Sequence, residues 1–405
     1  MEKFFAPCPR GLSAPLAQEL AALGAQNIKA DDSGVAFEGE LTDAYRANLH
    51  SRIASRILWQ VAHFAYDNEH QIYDAVMLLP WPQRFDVTRT IKVEMNAQRS
   101  PLKSLDFTTL RIKDAVCDKF REVIGSRPSV ATREPDVRIH AFLNATDATI
   151  YLDLSGEPLF KRGSREHTGA APLKKNLAAG IIALSGWQPG EAFLDPMCGS
   201  GTFLVEAAEI ALNIAPGSRR QFAFQKLKNF DSAAWSRMLT AARDAEKSKT
   251  LLPIYGSDLY GFALDDAHAN LLANGLGDCV RLKQANMLEI SAPEETGVMV
   301  TNPPYGERLG ETTELTELYP KLGDLLKQKF SGWRAYFFTG DTALPKGVRL
   351  SASKKTPLFN GKIECRLYEY KIIAGSNRRD GAPPAPTTPG ASASPAAPVV
   401  PNLNN

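Results

Sequence analysis

After residue 170, short apolar runs alternate with longer stretches in which apolar residues recur at helical spacing. The apolar runs lie at residues 192–195, 254–258, 280–288 and 298–300, and the helical stretches at residues 172–184, 203–214 and 264–274. Short apolar runs are typical of strands buried on both faces, and their alternation with helices is typical of a parallel sheet covered by helices. This half of the chain therefore predicts a doubly wound α/β domain.

The end of this half departs from the alternation. A helix is predicted over residues 315–330 and a strand over 335–339. Asn360 and Gly361 then stand between apolar residues, which is a strong signal for a β-hairpin. The strand that follows, at 363–373, is therefore predicted to run antiparallel. Residues 375–405 are rich in Pro, Ala, Ser and Asn and almost lack large apolar residues, so they are predicted to form a disordered tail.

The first 155 residues predict two small α+β units. In the first, strands and helices are predicted at residues 4–5, 14–23, 34–38 and 41–57. In the second, apolar residues alternate with polar ones along two predicted strands, at Ile91, Val93 and Met95 and at Val137, Ile139, Ala141 and Leu143. A helix over 108–124 lies between these strands. The second unit contains many Lys and Arg residues but no catalytic constellation, which favours a binding module.

Basic residues near the ends of these units have two interpretations. They are Arg46, Arg52 and Arg56 in the first unit and Lys161, Arg162 and Arg165 in the polar segment 156–167, where we place a domain junction. Each side chain either lies on a solvated surface or faces a nucleic acid.

Composition restricts the class of protein without identifying it. With 405 residues the chain exceeds a usual single core, and its formal charge of +2 neither demands nor excludes a nucleic-acid partner. The five cysteines are scattered and never spaced as CxxC, so neither a disulfide framework nor a zinc cluster is indicated, and the histidines suggest no metal site. Residues 1–5 are not followed by the apolar segment of a signal peptide, so we expect none, and no apolar stretch is long enough to span a membrane. We expect a cytoplasmic protein.

The strand predicted at 298–300 ends in a chemically distinctive loop, Asn302-Pro303-Pro304-Tyr305. Two consecutive prolines remove two backbone donors and stop the strand at once. Ligands of an open parallel sheet bind outside the carboxyl ends of its strands, so this loop lies where chemistry is expected. Asn and Pro are also common in ordinary turns, so the loop alone leaves both interpretations open.

A second loop of the same kind follows the strand at 192–195. In the sequence DPMCGSGT, residues 195–202, Gly199 and Gly201 allow a ligand to approach the backbone closely. The Lys-Ser/Thr pair of a phosphate-binding loop is missing. Asp258 ends the next strand, where a carboxylate can accept the hydroxyls of a ribose, and Asn286 near the end of the third can read an adenine edge. Together these residues predict a nucleoside cofactor without a triphosphate, and S-adenosylmethionine fits that description.

These motifs carry a resemblance to a known family. DPMCGSGT, GSD at 256–258 and NPPY at 302–305 resemble the motifs of class I S-adenosylmethionine-dependent methyltransferases that modify exocyclic amines. CPRGL near the start, LDLSGEPLFKRG, NPPYGERLG and LFNGKIECRLYEY are similar to segments of the bacterial 23S ribosomal RNA guanine-N2 methyltransferases that carry a THUMP domain. The resemblance implies a ferredoxin-like domain at 1–64, an RNA-binding THUMP domain at 65–155 and a Rossmann-like, seven-stranded methyltransferase domain at 156–374.

The resemblance also implies roles for individual residues. Asp195, Gly199 and Gly201 would line the methionine part of the cofactor, Asp258 its ribose and Asn286 its adenine. The further residues implied at the cofactor are Pro196, Cys198, Ser200, Thr202, Leu259, Met287 and Asn302. Position 286 departs from the family pattern, which has Asp there, and Asn offers one acceptor without the charge.

The resemblance implies methyl transfer to a guanine N2 amine of 23S ribosomal RNA, either free or in an assembly intermediate. The side-chain oxygen of Asn302 and the carbonyl of Pro303 can accept the two amine hydrogens and so align the nitrogen lone pair, while Tyr305 stacks on the base. The same loop would serve adenine-N6 methylation of RNA or DNA, or amide methylation of a protein glutamine. A non-catalytic RNA-binding factor in ribosome assembly is the remaining alternative.

Overall fold

The strands of the first half form one sheet, which is antiparallel except for one parallel pair of strands at its edge. In a computed structural model of the protein, the described residues are 1–163, 173–303 and 311–373, with only the backbone described at 311–318. The strands of this sheet are β1 (Glu2–Pro7), β2 (Gln26–Asp31), β3 (Gly34–Gly39), β4 (Leu58–Ala65), β5 (Ile91–Ala97), β6 (Val137–Leu143) and β7 (Asp147–Asp153). Their spatial order is β2-β3-β1-β4-β7-β6-β5.

Helices cover this sheet, and strand β4 joins its two parts. The helices are α1 (Ser13–Ala22), α2 (Leu41–His50), α3 (Glu69–Met77), α4 (Trp81–Arg84) and α5 (Leu105–Ile124). Strand β4 pairs with β1 on one side and with β7 on the other, both antiparallel. The two α+β units predicted from the sequence therefore share one continuous sheet, and β2 and β4 are strands that the sequence pattern did not predict.

Helix α2 ends earlier than the predicted 41–57. The carboxylate of Glu19, on helix α1, accepts hydrogen bonds from the Ser51 hydroxyl at 2.6 Å and from the Arg52 backbone N–H at 2.7 Å. Ser51 has an extended backbone, with ψ of 126°. A partner from another helix therefore captures the donors that would have continued the helix.

The second half forms the predicted doubly wound sheet. Its strands are β8 (Ala192–Asp195), β9 (Ile254–Asp258), β10 (Arg281–Gln284), β11 (Gly297–Thr301), β12 (Trp333–Thr339), β13 (Lys354–Asn360) and β14 (Ile363–Lys371). Its helices are α6 (Lys175–Ser185), α7 (Thr202–Ala211), α8 (Ser232–Asp244), α9 (Gly261–Ala273), α10 (Glu311–Lys329) and α11 (Leu344–Gly347). Within the described residues this sheet has seven strands in the order β10-β9-β8-β11-β12-β14-β13. The prediction of an antiparallel last strand is confirmed, since β14 runs antiparallel to both of its neighbours.

The hairpin between β13 and β14 has a turn shifted by one residue from the Asn-Gly pair. Asn360 pairs with Ile363, so the two central residues of the turn are Gly361 and Lys362. Gly361 has a φ of +63°, as a tight hairpin requires at its first central position. The shift places Lys362 at the tip of the hairpin. The predicted tail at 375–405 lies outside the described residues.

Buried ion pairs join the two halves of the described chain. Arg162 and Arg52 contact the carboxylate of Glu206, on helix α7, at 2.8 Å and 3.4 Å. Arg52 also contacts Glu209 at 3.2 Å. The interpretation of Arg52 and Arg162 as RNA-facing is therefore wrong, because both side chains point into the protein toward carboxylates of the second half. Arg165 lies outside the described residues.

Candidate functional site at the carboxyl edge of the second sheet

Three adjacent strands bring the predicted site residues to one edge of the sheet. Strand β8 lies between β9 and β11 and is parallel to both. Their carboxyl ends carry Asp195, Asp258 and Thr301, and Asn302 follows directly. Residues from three distant parts of the chain thus meet at the position where open parallel sheets bind ligands.

The loop between β8 and α7 is held by backbone hydrogen bonds. The Cys198 N–H donates to the Ser257 carbonyl at 2.9 Å, and the Gly201 N–H donates to the Cys198 carbonyl at 2.8 Å. The Gly199 N–H donates to Asp258 Oδ2 at 2.9 Å, while Asp258 Oδ1 accepts from the Tyr260 N–H at 3.1 Å. Asp258, proposed from sequence as a ribose acceptor, therefore also fastens this loop to β9. Each of its oxygens can accept a second hydrogen bond.

The two glycines of this loop have different surroundings. Both have positive φ, +50° at Gly199 and +75° at Gly201. A Cβ built on Gly201 would lie 3.1 Å from Ala267 Cβ, so Gly201 permits close packing of α7 against α9. A Cβ on Gly199 would meet no described atom within 4 Å. Gly199 therefore borders open space at the carboxyl edge, as a residue that lines a ligand site should.

Asp195 is buried at the carboxyl end of β8, in the strand that leads into this loop. Its Oδ1 accepts from the Thr301 hydroxyl at 2.9 Å and from the Met197 N–H at 3.3 Å. Burial raises the pKa of Asp195, and the nearby Asp258 carboxylate raises it further. The two hydrogen bonds lower it, and the net effect is a pKa of about 7. A cationic ligand group beside this carboxyl would stabilise its ionised form.

Thr301 links the two parts of the site, and the sequence analysis missed it. It is fully buried at the end of β11, and its hydroxyl is bound to Asp195 at 2.9 Å. Asn302, the first residue of the distinctive loop, therefore directly follows the residue whose hydroxyl is bound to Asp195. The sequence feature that could have revealed this role is the position of Thr301, a hydroxyl residue between the apolar run at 298–300 and the polar loop.

Asn302 carries a side-chain oxygen that no described residue satisfies. Its Oδ1 is inaccessible to solvent and has no hydrogen-bond partner within residues 1–163, 173–303 and 311–373. A buried carbonyl oxygen without a donor is costly, so such an atom suggests a ligand that supplies one. Pro303 is also buried. Pro304 and Tyr305, the other predicted loop residues, lie outside the described residues.

The remaining predicted cofactor residues lie around this edge in several environments. Asn286 lies two residues beyond β10, and its Oδ1 accepts from the Leu288 N–H at 3.0 Å, while no described residue is bound by its amide N–H₂. Leu259 is half exposed, whereas Met287 and Pro196 are buried. Ser200 and Thr202, both partly buried, flank Gly201 at the start of α7.

Burial raises the pKa of the Cys198 thiol, so this cysteine stays protonated and is no nucleophile.

Neither a metal cluster nor a membrane helix is found where the chain is described. Among those residues, no group of three or more His, Cys, Asp and Glu side chains is arranged to hold a metal ion. Among the same residues, each helix is too short or too polar to cross a bilayer.

Comparison with known families matches three consecutive parts of the chain. Residues 3–58 match the RlmL ferredoxin-like domain, residues 66–153 the THUMP domain, and residues 162–369 the RMKL-like methyltransferase domain. The last match alone covers more than half of the chain.

Curated relatives match almost the whole chain. The ribosomal RNA large subunit methyltransferase K/L of Psychromonas ingrahamii is 41% identical over 92% of this chain and 50% of its own length. The protein of the same name from Syntrophotalea carbinolica is 40% identical over 96% of this chain and 56% of its own length. The chain thus spans about half the length of these relatives.

Solved structures share the fold. SMU.472, described as a methyltransferase complexed with SAH, superposes with a TM-score of 0.84 at 31% identity and covers 92% of this chain and 98% of its own. A Listeria monocytogenes protein, described as a predicted N6-adenine-specific DNA methylase, superposes with a TM-score of 0.83 at 30% identity, over 92% of this chain and 96% of its own. TrmN from Thermus thermophilus, at 20% identity and a TM-score of 0.70 over 92% of this chain and all of its own, shares the fold.

The class I methyltransferase fold expected from the sequence is therefore confirmed, as are the two preceding modules. The chain belongs to the RMKL-like methyltransferase family, in the form that carries an RlmL-type ferredoxin-like domain and a THUMP domain ahead of the methyltransferase domain.

Proposed function

We propose that this protein transfers a methyl group from S-adenosylmethionine to the exocyclic N2 amine of a guanine in 23S ribosomal RNA. The observation that carries the proposal is the buried Oδ1 of Asn302, which has no partner among the described residues and lies one residue beyond the strand that pairs with β8. The K/L relatives are named as ribosomal RNA large subunit methyltransferases, which supports the substrate class. We place the protein in the cytoplasm, where that RNA is found.

The residues around Gly199 fit the proposed cofactor. The open space over Gly199 can accept its amino-acid part, Asp195 is positioned to attract a cationic group, and Asp258 has an accepting lone pair on each oxygen for ribose hydroxyls. The side-chain N–H₂ of Asn286 can donate to an adenine ring nitrogen. When bound, S-adenosylmethionine supplies a methyl group that is activated by a positively charged sulfur.

The loop residues act on the amine. The lone pair of an aryl amine is delocalised into the ring, which makes the nitrogen a poor nucleophile. Asn302 Oδ1 accepts one amine hydrogen and the Pro303 carbonyl accepts the other, which turns the lone pair toward the cofactor side of the sheet edge. Tyr305 stacks on the extruded base. Positioning therefore contributes more than a strong base.

The N-terminal half would bind the RNA. We propose domain boundaries near residues 64 and 155, in agreement with the family matches at 3–58 and 66–153. Because β4 belongs to one sheet with β1 and β7, the ferredoxin-like and THUMP parts would move as one body.

Adenine-N6 methylation is the second candidate. The same pair of acceptors suits an adenine amine, and the Listeria structure with 30% identity is described as a predicted N6-adenine-specific DNA methylase. In that case the target base would differ while Asn302 and Pro303 kept their roles.

The test is mass-spectrometric mapping of methylated nucleosides after incubation of the purified protein with S-adenosylmethionine and undermethylated 23S ribosomal RNA. We expect N2-methylguanosine at one site. Appearance of N6-methyladenosine would favour the second candidate. A lack of any new methyl group on free RNA and on ribosomal assembly intermediates would refute both and leave a non-catalytic binding role.

Replacing Gly199 with Ala should weaken cofactor binding by about tenfold, because the added methyl group projects into the space proposed for the ligand. Titration calorimetry with S-adenosylhomocysteine measures this. Gly190→Ala is the matched control, since Gly190 also has a positive φ and a Cβ added there would meet no described atom within 4 Å, but it lies in the loop before β8. Equal affinities of the two variants would remove Gly199 from the cofactor site.

A further inference from the structure

A second cavity lies outside the candidate active site, at the junction of the N-terminal module, helix α6 and the β13–β14 hairpin. Its volume is about 480 Å³, and its lining includes Arg10, Phe160, Lys174, Asn176, Phe359 and Lys362. We propose that this cavity binds one nucleotide of single-stranded RNA, with its base on the aromatic rings and its phosphates on the basic side chains. That this single-stranded RNA is part of the substrate of the enzyme rests on the proposed function.

The walls of the cavity are fixed by contacts between distant segments. A Cβ on Gly11, which has a φ of +90°, would lie only 2.5 Å from the Pro357 carbonyl oxygen, so glycine allows the N-terminal loop to pack on β13. The Ser55 N–H donates to the Pro7 carbonyl at 2.7 Å, and the Asn176 side-chain N–H₂ donates to Ser55 Oγ at 3.1 Å. The cavity is therefore a built feature of the fold.

Basic and aromatic side chains are paired in the cavity. The Arg10 guanidinium lies 4.5 Å from the centre of the Phe359 ring, and the Lys174 ammonium lies 4.9 Å from the centre of the Phe160 ring. Lys362 stands exposed at the hairpin tip, and none of the described lining residues is acidic. Aromatic faces with adjacent cations are the combination by which proteins hold single-stranded nucleic acids, since the rings stack on bases while the cations contact phosphates.

Asn176 provides an independent sign of a ligand. Asn176 is one of the residues that line the cavity, it is only 1% exposed, and its Oδ1 has no hydrogen-bond partner within the described part of the chain. The amide nitrogen is already bound to Ser55 Oγ and, at 3.4 Å, to the Ile53 carbonyl, which orients the group. The free oxygen can accept from the amino or imino group of a base.

The cavity lies on the substrate side of the second sheet. Strand β14 is antiparallel to β12, and Thr339, at the carboxyl end of β12, pairs with Arg366. The hairpin tip therefore extends beyond the same edge at which Asn302 follows β11. An RNA strand whose target base reaches Asn302 can place another of its nucleotides in the cavity at the same edge. Base-paired RNA is excluded, because its bases are stacked within the duplex and offer no free face.

Fluorescence anisotropy with the full-length protein tests this assignment. The probe is a labelled single-stranded RNA of about ten nucleotides, compared with a duplex of the same length. Phe359→Leu should weaken single-strand binding about tenfold, with duplex binding and the salt dependence unchanged. Arg10→Gln combined with Lys362→Gln should lower the slope of log affinity against log salt by about 0.7 for each cation removed. Lys247→Gln, an exposed lysine outside the cavity, is the matched control and should change neither quantity.

The outcomes that overturn the proposal differ from those that overturn the proposed function. Wild-type binding by Phe359→Leu, or an equal loss for single strand and duplex, would reject the base site. Competition by inorganic phosphate as strong as that by uridine monophosphate would show an anion site only and would also reject it. Since the assay requires no methyl transfer, an inactive wild-type protein would leave these results intact. Methyl transfer by the wild-type protein together with wild-type RNA binding by the cavity variants would reject the nucleotide site at the cavity and leave the proposed function standing.

Discussion

Replacement of Asn302 with Ala is expected to lower the rate of methyl transfer by about 10²- to 10³-fold, with the affinity for S-adenosylmethionine changed by less than about threefold. The reason is that Oδ1 of Asn302, which is buried and has no described partner, is the acceptor proposed to orient the amine, whereas the fold does not use it in any described hydrogen bond. Single-turnover transfer of labelled methyl groups to ribosomal RNA measures the rate.

Asn302→Asp is the informative companion variant. It retains an oxygen at the same distance from the backbone, so it should keep more activity than Asn302→Ala at equal thermal stability. Transfer by the alanine variant at the wild-type rate would disprove the proposed alignment. Loss of cofactor affinity in parallel with the rate would instead place Asn302 at the cofactor, as the family resemblance also implies.

Replacement of Arg162 with Ala is expected to reduce the free energy of unfolding by about 3 to 4 kcal/mol. Arg162 is almost fully buried, and its side chain pairs with Glu206 at 2.8 Å and donates to the Arg52 carbonyl at 3.1 Å. Among the ion pairs of the described residues, its removal leaves the buried Glu206 carboxylate with the longer 3.4 Å contact to Arg52. Urea unfolding followed by circular dichroism measures the loss.

Two further variants test whether the lost free energy of unfolding comes from the buried Glu206 charge. Arg46→Ala removes a partly exposed ion pair with Asp43 and a hydrogen bond to the Leu23 carbonyl, and it should cost only about 1 kcal/mol. Arg162→Met combined with Glu206→Leu removes both charges and should recover part of the stability. An Arg162→Ala protein within about 1 kcal/mol of the wild type would show that this pair does not hold the two halves together.

The pH dependence of the Arg162→Ala effect has a definite sign. Burial disfavours the charged Glu206 carboxylate, but Arg162, Arg52 and Lys175 outweigh it and hold the pKa of Glu206 below its ordinary value of 4.5. A lowered carboxyl pKa means that the pair stabilises the protein above pH 4.5 and that this contribution is lost as the pH falls through the pKa of the folded state. The difference between wild type and variant should therefore shrink on acidification.

The position of Glu206 gives this ion pair a functional meaning. Glu206 lies on helix α7, which begins at the glycine loop proposed to hold the cofactor. Arg52 comes from the ferredoxin-like region and Arg162 from the segment that follows the THUMP domain. The same cluster thus joins the module proposed to bind RNA to the helix proposed to bind the cofactor, which keeps the target base and the methyl donor in a defined relation.

Local patterns determined the class of the fold and many of its elements. The strand predicted at 254–258 has those boundaries in the structure, and the antiparallel last strand is present. The family expected from segments such as CPRGL, LDLSGEPLFKRG and NPPYGERLG is the one to which the chain belongs. These features depend on side-chain periodicity, glycine and proline, whose effects on the backbone act within a few residues and can be read from the sequence.

Only the tertiary structure decided which polar groups meet. The end of α2 depends on Glu19, the direction of Arg162 depends on Glu206, and the role of Thr301 depends on Asp195, each a partner between 32 and 106 residues away in the chain. The cavity at Asn176 likewise needs the N-terminal loop, α6 and the last hairpin together. A charged or hydroxyl side chain has the same local pattern whether it faces water or a buried partner, and the difference arises only when the sheets pack.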